Sequence, residues 1–144
     1  MTEDLKAPPP NISEFTTITG LVFTELYKQF PVAVNLDRAA IESAMGVASS
    51  SSHVLQSGRS FTDVFVHSLN WLFNEGYVRS TGPLAHEQVT LTTKGLAALN
   101  AVPQGLSTTI GSTLATNASA GNWSSVGDLV GGIIGGITKS IAGS

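Results

Sequence analysis

Apolar residues recur along this chain first at helical and then at strand spacing, and the changes of period predict its elements. Phe15, Ile18, Val22, Leu26 and Phe30 stand three or four residues apart, one face of a first helix. Asn11 or Ser13 is its expected cap and Pro31 its stop. Val32 to Val34 is short and β-branched, enough for a brief strand. Asn35 or Asp37 then caps a second, shorter helix with Leu36, Ala40, Ile41 and Ala44 facing inward, and Gly46 ends it. Val47 to Ser60 contains the run Ser49 to Ser52; serine competes for backbone hydrogen bonds, so a loop or a frayed helical extension is expected. A third helix from about Phe61 to Glu75 turns Phe61, Phe65, Leu69 and Leu72 to the core and stops at Gly76.

The period then falls to two. Tyr77 to Thr81 predicts a strand, Gly82 and Pro83 a turn, and Gln88 to Leu91 a return strand with Val89 and Leu91 inward. Thr92 or Thr93 caps a further helix that buries Leu96 and Leu99, and Asn100 to Gln104 closes the unit. From Gly105 onward the only charged side chains are Asp128 and Lys139. Leu106, Ile110 and Leu114 suggest a weak helix, Asn117 to Ser125 a turn, and Val126, Val130, Ile133, Ile137 and Ile141 another helical stripe. Gly127, Gly131 and Gly135 are spaced by four, as are Gly132 and Gly136, a glycine zipper that permits close helix approach. Glycine in a helix costs about 0.5–1 kcal/mol relative to alanine, so this pattern calls for a compensating contact. Gly127, Gly131, Gly135, Ile133 and Ile137 are the residues expected to make it.

Leu72, Gly76, Tyr77 and Val78, followed by VTLTTKGLAAL from Val89 to Leu99, resemble the winged-helix superfamily over residues 13–102. The resemblance implies an α+β, mainly α fold: a flexible arm over 1–12, a winged-helix domain over 13–103 and a glycine-rich helical appendage over 104–144. In DNA-binding members the third helix enters the major groove and the wing touches the backbone. Carried over, the partner- or DNA-facing candidates are Asp63, His67, Asn70 and Asn74 on that helix, with Arg79 and His86 on the wing. That helix face has no arginine or lysine, and Asp63 would repel phosphate, whose neutralisation supplies most non-specific DNA affinity. Lys28, Arg38, Arg59, Arg79 and Lys94 are scattered rather than clustered.

The length of 144 residues suits one domain, and the net charge of −3 does not suit a non-specific nucleic-acid binder. The absence of cysteine excludes disulfides and thiolate metal sites. The opening MTEDLKAPPP is acidic and proline-rich, unlike a secretory leader, so a cytoplasmic location is expected. His53, His67 and His86 lack metal-ligand spacing, and no nucleophile-elbow or phosphate-loop pattern is present, so no metal, cofactor or catalysis is expected. Trp71 is expected in the core and Trp123 at an interface. Val126 to Ala142 would span roughly 25 Å as a helix, short of the roughly 20 apolar residues of a comfortable membrane span. The expected role is a non-enzymatic interaction or assembly module that self-associates or docks a protein partner through its tail. The alternatives are a DNA-binding transcriptional regulator and a membrane-active effector or membrane-anchored module.

Overall fold

The computed structural model describes residues 8–46 and 54–143, with side chains as far as Gly135. The serine run Ser49 to Ser52, His53, most of the expected arm and the side chain of Ile137 lie outside the described residues. The fold is α+β and mainly helical: α1 (Pro10–Gln29), α2 (Arg38–Ala44), α3 (Phe61–Asn74), β1 (Val78–Ser80), β2 (Val89–Leu91), α4 (Thr93–Asn100), α5 (Ile110–Ser119) and α6 (Trp123–Gly143).

Local chemistry sets most of the boundaries. Asp37, Ser60, Thr92 and Thr109 each accept a hydrogen bond from a backbone N–H of the first turn of α2, α3, α4 and α5. Neither Asn11 nor Ser13 caps α1. The helix starts earlier, at Pro10, whose missing N–H and fixed φ suit a first helical position. Gly76 follows α3 at φ +83°, a conformation that favours glycine, and Lys94 Nζ donates to the carbonyl of Glu75 at 2.7 Å. β1 and β2 pair antiparallel with Val78 opposite Leu91. Val34 adds a single bridge on the far side of β2, exchanging backbone hydrogen bonds with Val89 at 2.8 and 2.9 Å.

The expected inward stripe of α3 is buried, as are Val89, Leu91 and Leu99. Several expectations change. Phe30, Ala40 and Ala44 are exposed, Leu106 lies outside α5, and Leu96 is only half-buried. Phe23, not on the expected stripe, is fully buried and meets Tyr77 with ring centroids 5.9 Å apart. Trp71 is 38% exposed at the edge of the core, its ring met edge-on by Phe15 at 5.3 Å.

The largest departure concerns residues beyond 103. Leu114, Val126, Val130 and Ile133 belong to the same hydrophobic core as Ile18, Phe65 and Val89, so the core crosses the expected boundary. α1 is the common partner, lying along both α5 and α6. Its second face carries small and polar residues: Thr16, Gly20 and Tyr27. A Cβ on Gly20 would strike Val126 Cγ1 and come within 3.5 Å of Leu114, and one on Gly111 would meet the Tyr27 ring at 2.6 Å. The Tyr27 hydroxyl lies 2.9 Å from Asn100 Oδ1 and 3.0 Å from Thr109 Oγ1, joining α1, α4 and α5. The closest helix approaches are made at Gly20 and Gly111, outside the zipper. Of the zipper glycines whose surroundings are described, Gly127 alone faces a helix of this chain, with Thr16 Oγ1 3.3 Å from where its Cβ would stand. Cβ positions on Gly131, Gly132 and Gly135 meet no atom within 4 Å. Ile133 is buried in the core.

Candidate binding groove between the first and third helices

Glu14, Ile18, Val22 and Leu26 stand four residues apart, so the carboxylate of Glu14 rides at the head of the buried stripe of α1. Glu14 is only 8% exposed. Its Oε2 accepts the backbone N–H of Ser57 at 2.9 Å, which ties the loop before α3 to α1. That loop is itself closed by backbone hydrogen bonds from Leu55 to Arg59 and from Gly58 to Leu55. Glu14 Oε1 and Ser57 Oγ, both buried, have no hydrogen-bond partner. A buried acceptor left unmade costs about 1–3 kcal/mol, and more for a charged group. Such atoms are uncommon in folded proteins and point to a missing donor.

Glu14 and Ser57 are among the residues lining a cleft of about 580 Å³ between α1, the 54–60 loop and α3. Ile12, Phe15, Val64 and Trp71 are the apolar side chains of its lining. Ile12 and Trp71 are exposed, and the Trp71 ring is held between Phe15 and Tyr77, stacked on the latter at 6.4 Å. On the α3 side Asp63 is already engaged. Arg59 Nη1 reaches its Oδ2 at 3.0 Å, and His67 Nε2 lies 3.4 Å from its Oδ1. Arg59, Asp63 and His67 follow one another at four-residue steps from the loop into α3, and the Arg59–Asp63 pair is partly solvated, so it contributes little stability.

Of the candidates expected from the sequence, the structure brings Asp63 and His67 together in the groove. Asn70 and Asn74 are exposed farther along α3, Arg79 is exposed on β1, and none of the three lines the groove. His86 is half-buried between the strands, its carbonyl accepting from the Leu36 N–H at 2.8 Å. The α3 face is not free of cations as expected, because Arg59 folds onto Asp63 from the preceding loop. Glu14 and Ser57 were not anticipated. A carboxylate in register with an apolar stripe is a legible signal for Glu14; Ser57 has none, since only the loop's closure places it.

Four of the five scattered cations are engaged locally, while Arg79 is exposed on β1. Lys28 faces Glu25 at 4.0 Å, Arg38 donates to Thr62 Oγ1, Arg59 pairs with Asp63, and Lys94 caps α3 and lies 4.5 Å above the Tyr77 ring. Among the described residues no three His, Asp or Glu side chains are grouped to hold a metal ion. No helix among them is long and apolar enough to cross a membrane. Set against known proteins, the chain matches no family model, no curated protein and no solved structure, and its function is to be read from its own geometry.

Proposed function

We propose that this chain is a non-enzymatic interaction and assembly module: a winged-helix body that associates with a second copy through the glycine-lined face of α6. The winged-helix assignment is supported by the order helix, bridge strand, helix, helix, hairpin, helix, with Val34 joining the hairpin through Val89. The single observation that carries the assembly reading is the outward aspect of the zipper. Gly131, Gly132 and Gly135 each lower helix stability by about 0.5–1 kcal/mol relative to alanine, yet nothing in the described chain occupies the space they leave. A second helix packed there would use that space.

Gly131→Leu separates this reading from a bland one. The new side chain points into open space, so the isolated fold keeps its stability or gains up to about 1 kcal/mol from helix propensity. In an assembly built on this face, the same side chain forces the helices apart at a cost of about 1–3 kcal/mol. Sedimentation of the full chain at micromolar concentration should show an oligomer that shifts toward monomer in the variant, with no loss in the thermal melt. A wild-type chain that stays monomeric, or a variant with unchanged mass, would remove the assembly role.

The scatter of the cations, with Lys28, Arg38, Arg59 and Lys94 engaged locally, argues against a duplex partner. The chain should bind duplex DNA no more tightly than the non-specific range of about 10⁻⁴–10⁻⁶ M at physiological salt. Nanomolar, salt-sensitive binding that disappears in Asn70→Ala would install DNA recognition instead.

A further inference from the structure

We propose that the groove between α1 and α3 is a binding site for a primary ammonium group carried on an apolar stem. This site is independent of the assembly face on α6. Glu14 is held rigidly by the bond from the Ser57 N–H to Oε2, while Oε1 and Ser57 Oγ, both buried, have no partner. Oε1 can only accept and the Ser57 hydroxyl can accept as well as donate, so a compact donor with more than one hydrogen serves both, and an ammonium has three. The charge matches as well. Asp63 is neutralised by Arg59, so Glu14 is the carboxylate in the groove that lacks a cation. The remaining walls suit the stem: Ile12, Phe15, Val64 and Trp71 are apolar, and the Trp71 ring favours a nearby cation. A carboxylate ligand would meet Glu14 with like charge, and an uncharged stem would leave Oε1 unsatisfied.

The chemistry is shared by a small free amine and by the lysine side chain of a partner peptide, and titration of the full-length chain distinguishes them. The probes are n-hexylammonium, 1-hexanol and hexanoate, followed by backbone amide and indole NMR shifts. Hexylammonium should bind saturably, with shifts concentrated at Ser57, Val64, Ser68 and Trp71. Because a charged pair is lost, 1-hexanol should bind roughly tenfold more weakly or worse, and hexanoate should not bind. Glu14→Gln retains an oxygen for the Ser57 N–H and should reduce hexylammonium to the level of the alcohol, leaving the alcohol unchanged. A capped Leu-Lys-Leu peptide that outcompetes hexylammonium, while its norleucine counterpart does not, would assign the site to a partner's lysine; a preference for the free amine would assign it to a small molecule. Either result supports the site. Equal binding of ammonium and alcohol, shifts away from the groove, or full affinity in Glu14→Gln overturns it. The wild-type comparison of ammonium with alcohol decides the question even if that variant fails to fold.

Discussion

Replacing Leu114 by alanine is expected to destabilise the entire chain by about 2–5 kcal/mol, as much as Leu69→Ala in α3. Leu114 is fully buried, and its side chain stands beside the notch that Gly20 leaves in α1. α1 also carries the contacts of α3 and β2, so loosening α5 removes support from the helix on which the wing-like half is built. The two substitutions lie on opposite sides of residue 103, where composition alone draws a boundary. One continuous core requires that they act on one transition. Denaturant unfolding followed by far-UV circular dichroism and by Trp71 fluorescence, in a Trp123→Phe background, should give coincident midpoints for both variants. An early transition in Leu114→Ala that leaves Trp71 fluorescence unchanged would show that α5 and α6 unfold as a separate unit. A loss below about 1 kcal/mol would mean that the Gly20 notch is not tightly filled.

Gly95→Ala is expected to cost about 1–3 kcal/mol, at the upper end of that range, although alanine is the better helix former. A Cβ at this position would collide with the carbonyl oxygen of Tyr77 and lie 3.2 Å from Leu91 Cδ2. The carbonyl cannot retreat easily, since the Thr92 N–H donates to it at 3.1 Å. The obstacle is therefore backbone fixed by the strand and the helix cap, not the flexible end of a side chain. Gly131→Ala makes the contrast: it enters open space and should raise stability by about 0.5–1 kcal/mol. Thermal melts of the two variants should shift in opposite directions. A stabilised Gly95→Ala would mean that α4 sits farther from the hairpin than the structure places it.

The Gly95 contact also explains a pattern visible in the sequence, where Leu91, Thr92 and Gly95 open the helix after the return strand. Thr92 caps α4 while Gly95 lets that helix lie against the start of the hairpin. Asp63 and His67 share a face of α3 because four-residue spacing puts them there, and the groove keeps them together. Glu14 was legible only as a misplaced charge within an apolar stripe.

Elements governed by local rules were determined by the sequence itself. The inward face of α3, its glycine stop, the inward Val89 and Leu91 of the return strand and the Thr92 cap depend on spacing and on side chains adjacent to the backbone groups they serve. What the tertiary structure alone decided is how elements distant in the chain approach one another. Thr16, Gly20 and Tyr27 make no hydrophobic stripe, yet they receive α5 and α6, because docking there depends on a gap opposite a bulky partner rather than on apolarity. The zipper glycines look like docking residues in one dimension, but α6 is rotated so that Val126, Val130 and Ile133 face the core and Gly131, Gly132 and Gly135 face out. Periodicity identifies the stripes of a helix; burial of the larger apolar area decides which stripe turns inward.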